Sequence, residues 1–125
     1  DFWAAKFYDP EKNYVMLKST GVLRQDGKKD IWSTAAWHTL WGWKHVTDDD
    51  RSILITEGEI DAMSWDQMDV GMPCLSVPSG VSNLGWIDND YEALSRFENI
   101  YIAMDNDEAG QRASKEIAKR LGLQR

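Results

Sequence analysis

The chain has 125 residues, 42% of them hydrophobic, which suits one compact domain with a small accessory lobe and argues against disorder. Its 14 Lys and Arg against 21 Asp and Glu give a formal charge of −7. The whole excess lies after residue 51, and an acidic surface alone is a poor footprint for nucleic acid unless bound cations reverse the local field. No apolar run approaches the length of a membrane span and nothing resembles a signal peptide, so we expect a cytoplasmic protein without a membrane partner.

The single cysteine, Cys74, excludes an internal disulfide and a Cys-rich zinc site. It lies in an apolar run, where we expect a small buried residue rather than a reactive thiol. The sequence opens at Asp1 without an initiator Met and stops soon after a helix-ending Gly122. We therefore expect a piece of a longer protein.

Residues 1–47 are predicted to form a small β-rich lobe. Two strand-like runs, Phe2–Tyr8 and Tyr14–Thr20, flank a turn over residues 9–13, and residues 30–33 are a candidate third strand. Four of the seven tryptophans cluster in its second half, and for them core packing is favoured over base stacking: Trp32, Trp37, Trp41 and Trp43. We place its boundary at the charged connector between residues 47 and 51.

Residues 52–125 alternate between strand and helix patterns, which predicts a mostly parallel sheet with helices on its faces. In such sheets, ligands bind outside the carboxyl ends of the strands. Short apolar runs predict strands and periodic segments predict helices, in the order strand 52–56, helix 59–68, strand 73–77, helix 86–97, strand 99–104 and a helix through Leu121. Tyr101 falls within the last strand, where we expect it to be a packing residue.

Four carboxylates are predicted to meet at one edge of this sheet. Glu57 and Asp105 follow the first and third strands directly, Asp107 comes two residues later, and Asp61 lies one helical turn after Glu57. Converging carboxylates repel one another unless a cation neutralises them. Because the oxygen ligands are not accompanied by Cys or His, Mg²⁺ is favoured, with Mn²⁺ as the alternative.

Each acid also has an ordinary structural interpretation. Asp107 could cap the last helix, and Asp61 could be a solvent-facing helix residue. Glu57 is the hardest to explain in this way, since a charge at the end of an apolar strand needs a partner. Gly58 is expected to allow close backbone approach or a positive φ, and Gly110 is expected to pack closely against the sheet.

These residues resemble the Toprim family, which is found in primases, topoisomerases and some small nucleases. Its hallmark is a Glu after one strand and an Asp-x-Asp after a later one, here Glu57 and Asp105-Asn-Asp107. Longer strings narrow the resemblance to bacteriophage primase–helicases and the mitochondrial replicative helicase: Glu-Gly-Glu-Ile-Asp-Ala-Met-Ser at 57–64, Ser-Val-Pro-Ser-Gly at 76–80 and Asp-Asn-Asp-Glu-Ala-Gly at 105–110.

The resemblance implies a Toprim (Rossmann-like) α/β fold over residues 52–125, preceded by the small β-rich lobe and incomplete at its C-terminus. It implies a primase-type nucleotidyltransferase that makes RNA primers on single-stranded DNA during DNA replication. Glu57, Asp105 and Asp107 would be catalytic and would hold Mg²⁺ together with Asp61. Basic residues of the first lobe would contact nucleotide or template: Lys18, Lys28 and Lys29.

The implied partners are a single-stranded DNA template, ribonucleoside triphosphates, and helicase and zinc-binding modules of the parent chain. The implied setting is the cytoplasm of a bacterium hosting a phage or prophage. We expect the isolated fragment to be inactive, because family members continue with a further strand and helix. Three alternatives remain: a non-catalytic Toprim module of a replicative helicase, a Toprim nuclease and a topoisomerase. The topoisomerase is disfavoured, since neither Tyr91 nor Tyr101 has the setting of a nucleophile.

Overall fold

The computed structural model describes residues 3–20, 33–34, 38–80 and 83–122. It contains five strands, three α-helices and a short 3-10 helix over Trp43–His45. In chain order the strands and α-helices are β1 (Trp3–Tyr8), β2 (Tyr14–Thr20), β3 (Ser52–Thr56), α1 (Glu59–Gln67), β4 (Cys74–Ser76), α2 (Trp86–Leu94), β5 (Asn99–Ala103) and α3 (Glu108–Arg120).

The predicted hairpin is confirmed as an antiparallel pair of β1 and β2, with Ala5 opposite Lys18. Alternation along the two strands places Ala5, Phe7 and Met16 on one buried face, where they form a small core of their own. Of the candidate third strand, only Ser33 lies within the described residues, and it makes an isolated antiparallel bridge with Lys18.

The predicted α/β unit is confirmed as a parallel three-stranded sheet in the order β4-β3-β5. The central strand is the continuous apolar run expected of a strand covered on both faces, because Ile53, Leu54 and Ile55 are each at most 7% exposed. Crossover helices α1 and α2 separate the strands, so all three strands end at the same edge.

The segment between the two sheets packs into the core of the parallel unit. Leu40, Trp43 and Val46 join the same buried cluster as Ile53 and Ile55. Trp41 also exchanges backbone hydrogen bonds with Ser76 of β4, at 2.8 and 3.0 Å, which partly closes that edge of the sheet. On the opposite side β5 pairs with β3 alone among the described strands.

The hairpin turn is also tied to this segment. Lys12, which has a positive φ of 74°, donates its ammonium protons to the carbonyl oxygens of Trp43 and Val46, at the end of the 3-10 helix. Burial lowers the pKa of Lys12, and Asp48 opposes that effect. The division between residues 47 and 52 stays a prediction, since the two parts share these contacts.

The two tryptophans of the predicted cluster that lie within the described residues support a role in core packing. Trp43 is 2% exposed and stacks at a tilt on Phe97, and Trp41 is half-buried, while Trp32 and Trp37 lie outside the described residues. The prediction for Tyr101 was wrong, because its side chain is 50% exposed on the edge strand β5. None of the helices described here is long and apolar enough to cross a membrane.

Candidate metal-binding carboxylate site

The two strand-end acids meet as predicted. Glu57 follows β3, Asp105 lies two residues after the end of β5, and the strands are paired in parallel with Thr56 opposite Ala103. The backbone N–H of Asp105 donates a 3.0 Å hydrogen bond to Oε1 of Glu57. The carboxyl edge of the parallel sheet thus brings together two residues that are 48 positions apart.

The environment of Glu57 disfavours its charged form. Partial burial is the largest cause of a raised pKa, and the carboxylates of Asp105 and Asp107 raise the pKa further, whereas the hydrogen bond from the Asp105 backbone opposes them. Both aspartates thus act on the Glu57 carboxyl group. A cation among them would relieve this repulsion.

Asp107 caps α3, which was one of the two roles predicted for it. Its Oδ1 accepts a 2.7 Å hydrogen bond from the backbone N–H of Gly110. Gly110 is required for this geometry, since a Cβ there would lie 2.1 Å from the carbonyl oxygen of Asp105. The expectation that Gly110 packs against the sheet was therefore wrong: it packs against the turn that carries Asp105 and Asp107.

Asp61 is exposed in the first turn of α1, and its carboxylate leans back toward the residue after Glu57. A Cβ built on Gly58 would lie 3.3 Å from Oδ2 of Asp61. Gly58 has an extended backbone with a φ of −140°, so a positive φ was the wrong expectation and close approach is the correct one.

The donor chemistry of this edge fits a hard divalent cation, since it offers carboxylate oxygens without nitrogen or sulfur. Within the described residues, however, no group of three or more His, Cys, Asp or Glu is placed so that it could hold a metal ion. The assignment of Mg²⁺ to Glu57, Asp61, Asp105 and Asp107 therefore stays a prediction.

Lys18 lies at the same edge, but its charge is already paired. Its ammonium is 3.0 Å from Oε2 of Glu59 and 2.5 Å from the carbonyl oxygen of Pro78. The side chain is only 13% exposed. The other two predicted nucleotide-binding lysines, Lys28 and Lys29, lie outside the described residues.

Two buried acids, Glu59 and Asp90, were missed in reading the sequence. Glu59 is 6% exposed and Asp90 is fully buried. The sequence contained a signal for each of these acids. For Glu59 the signal is Lys18, which shares the inward face of β2 with Met16 and therefore needs an anionic partner. Likewise, Asp90 lies on the apolar stripe of α2 with Trp86, Ile87 and Leu94.

A cavity bounded by described residues lies beside α1, and its lining does not include the four predicted site acids. It has a volume of about 510 Å³ and opens between α1 and the amino end of β4, with Trp41, Met63 and Cys74 among its lining residues. A smaller cavity of about 380 Å³ borders Asp105 and includes Lys115.

Comparison with known proteins gives consistent matches. The Toprim-like family matches residues 54–125. The DNA helicase/primase of Enterobacteria phage T3 is 35% identical over 120 residues, which is 93% of this chain and 18% of the phage protein. The chloroplastic/mitochondrial Twinkle homolog protein of Arabidopsis thaliana is 33% identical over 90 residues, which is 58% of this chain and 12% of the plant protein.

Among solved structures, the primase fragment of the bacteriophage T7 primase–helicase superposes with a TM-score of 0.78 and 30% identity. The match covers 98% of this chain and 51% of the T7 fragment. The chain therefore spans less than a fifth of each of these two curated relatives and about half of this structural neighbour.

Proposed function

Because the chain belongs to the Toprim-like family, we propose that it is the metal-holding part of a primase or primase–helicase, which makes RNA primers on single-stranded DNA. The observation that carries this proposal is the contact between Glu57 and Asp105 at the carboxyl edge of the parallel sheet, with Asp107 acting on the same group. The names of the phage T3 and T7 relatives support this choice among Toprim activities.

In this proposal, Asp105 and Asp107 hold Mg²⁺ with Glu57, and Asp61 is an additional ligand or orients one. When bound, the divalent ion would lower the pKa of the attacking 3′-hydroxyl and stabilise the charge of the triphosphate and the leaving pyrophosphate. Asp107 can serve in two ways at once, because capping α3 uses Oδ1 and leaves Oδ2 for a ligand. The raised pKa of Glu57 also suits a proton-transfer role.

The proposed substrates are ribonucleoside triphosphates and a single-stranded DNA template. Lys18 is proposed to face a phosphate group, and Lys28 and Lys29 to contact nucleotide or template. Helicase and zinc-binding modules of the parent chain are the proposed protein partners, and the cytoplasm of a phage-bearing bacterium is the proposed setting. We propose that the chain depends on those further parts for activity.

A non-catalytic Toprim module of a replicative helicase is the second candidate. It is favoured by one observation, that the described acids are not gathered into a three-ligand metal site. The catalytic function ranks first because loss of catalysis would be expected to remove the acids, and the sequence retains all four: Glu57, Asp61, Asp105 and Asp107.

The test uses the full-length protein with single-stranded DNA, ribonucleoside triphosphates and Mg²⁺. Asp105→Asn and Asp107→Asn should each lower oligoribonucleotide synthesis by at least about 100-fold, since each removes a proposed metal ligand. Asp49→Asn, an exposed change in the charged connector, is the matched control and should leave the rate unaltered. Full synthesis by both site variants would contradict the assignment, and cleaved DNA in place of oligoribonucleotides would indicate a nuclease.

A further inference from the structure

A buried ion pair joins the first lobe to the carboxylate site. The ammonium of Lys18 lies 3.0 and 3.3 Å from the two carboxylate oxygens of Glu59, and the two side chains are 13% and 6% exposed. The same ammonium donates a 2.5 Å hydrogen bond to the carbonyl oxygen of Pro78. The exposed pair Arg51–Glu98 has a similar distance, 3.1 Å, but its side chains are 74% and 62% exposed.

All three partners lie at the carboxyl edge of the parallel sheet. Glu59 is the first residue of α1 and comes two residues after Glu57. Pro78 follows Val77, whose backbone N–H donates a 3.0 Å hydrogen bond to the carbonyl oxygen of Thr56, at the end of β3. One ammonium therefore connects β2, the start of α1 and the loop after β4.

The arrangement constrains what Lys18 can do. A lysine left free beside converging carboxylates would form ion pairs with them and compete with a divalent cation. Glu59 gives Lys18 another anion, on the first turn of α1, where a negative charge also suits the helix dipole. An ammonium has three N–H donors, and three acceptors lie within reach: the two Glu59 carboxylate oxygens at 3.0 and 3.3 Å and the Pro78 carbonyl oxygen at 2.5 Å. The contact at 3.3 Å is the longest of the three, so its donor is the one that a phosphate oxygen would take.

We propose that Glu59 is a positioning residue that fixes Lys18 for the triphosphate of the incoming nucleotide and keeps it away from the metal-binding carboxylates. This inference rests on the proposed function. Glu59 itself touches neither substrate nor metal: it acts through Lys18, which also binds the carbonyl oxygen of Pro78. Because the pair is buried, the fold sets its geometry, and salt screens the attraction between the two charges only weakly.

The kinetic test uses the full-length protein and compares Glu59→Gln, Lys18→Met and the double variant in primer synthesis. Glu59→Gln should raise the KM for ribonucleoside triphosphate about tenfold, the loss expected for one hydrogen bond to a charged group, while kcat changes less than about twofold. The double variant should have the same KM as Lys18→Met, because Glu59 acts only through Lys18. Glu98→Gln, in the exposed pair, is the matched control.

A second measurement does not depend on activity. Acetic anhydride labelling followed by mass spectrometry should modify Lys18 at least about tenfold more slowly than exposed Lys44 in the unaltered protein, and Glu59→Gln should remove most of that protection. If Glu59→Gln does not fold, Glu59→Asp keeps the charge with a shorter reach and should give an intermediate KM.

The outcomes separate this inference from the proposed function. Primer synthesis with an unchanged KM in folded Glu59→Gln, or a double variant whose effects on KM multiply, would overturn the positioning role. Equal labelling of Lys18 in both proteins would show that the pair does not form. Absence of synthesis by the unaltered full-length protein would instead overturn the proposed function.

Discussion

Asp90 shows how a single buried acid can organise a connector. Its carboxylate accepts hydrogen bonds from the Thr39 hydroxyl at 2.8 Å, the Leu40 backbone N–H at 2.7 Å and the Trp43 indole N–H at 3.0 Å. Asn89 adds a fourth bond of 2.7 Å. These bonds fix residues 39–43 against α2, and the same residues carry Leu40 and Trp43 into the core.

Replacement of Asp90 should separate the contribution of its hydrogen bonds to stability from the contribution of its charge. Asp90→Ala leaves the N–H groups of Leu40 and Trp43 buried without an acceptor, which should lower the free energy of unfolding by about 3 kcal/mol or more. Asp90→Asn keeps one oxygen for those two donors and should lose only about 1 kcal/mol. Urea denaturation measures both, with exposed Glu92→Gln as the control. Equal losses in the two variants would mean that the donors do not depend on this acceptor.

The pH dependence of stability follows from the raised pKa of Asp90. Burial is the main cause, and it outweighs the hydrogen bonds from Leu40, Trp43, Asn89 and Thr39, which lower the pKa. The folded protein therefore binds this proton more tightly than the unfolded chain. The stability that this tighter proton binding contributes is complete below the ordinary pKa of an aspartate. It declines as the pH rises toward the pKa of Asp90 in the folded state. Relative to Asp90→Asn, the unaltered protein should lose stability over that interval in denaturation curves measured at a series of pH values.

At the scale of elements, the turn before α3 depends on Gly110. Gly110→Ala would place a Cβ 2.1 Å from a backbone carbonyl oxygen, which cannot be relieved by a side-chain rotation. We expect Asp105 and Asp107 to be displaced and the proposed primer synthesis to fall by at least about 10-fold, although Ala favours helices. Gly85→Ala is the control, since its closest contacts are 3.4 Å and its φ is −60°. Unchanged synthesis in Gly110→Ala would show that the turn tolerates the shift.

Strands were the most predictable elements. β3 has the predicted bounds because a strand buried on both faces is a continuous apolar run, whereas β4 is shorter than predicted by one residue at each end and β5 by one residue at its C-terminal end. Helix ends were less accurate: α2 ends at Leu94, where Ser95 closes the last turn, and Phe97 is buried beyond it. Local patterns do not record where tertiary packing ends a helix.

The face of α1 could not be predicted. Its buried residues are Glu59 and Ala62, whereas Ile60 and Met63 are 54% and 37% exposed. This reversal of the usual pattern reflects Lys18, which arrives from a strand 41 residues earlier and requires the acid on the inner side. Strand-end geometry was enough to predict that Glu57 and Asp105 meet, but a contact between side chains of β2 and α1, 41 positions apart, cannot be predicted from spacing.

For the whole molecule, the mutual repulsion of the site acids predicts a response to metal. Mg²⁺ that binds the folded state but not the unfolded state should stabilise the folded state. At an Mg²⁺ concentration 100 times the dissociation constant the stabilisation is about 2.7 kcal/mol, which corresponds to a rise in Tm of roughly 5 °C or more. Differential scanning calorimetry measures the shift. Asp105→Asn should abolish it and should itself raise the metal-free Tm, because one repelling charge is gone. A shift that persists in Asp105→Asn would place the ion elsewhere.

The two edges of the parallel sheet are not equivalent. Beside β4, Trp41 already occupies the hydrogen-bonding groups of Ser76, whereas β5 presents its outer side without a paired strand in the described part of the chain. Tyr101 is half exposed along that outer strand. In the described part of the chain, a further strand could therefore pair along β5, next to Asp105, whereas the Trp41 bridge already engages the backbone of Ser76 beside β4. A strand paired with β5 would form one side of the carboxylate site.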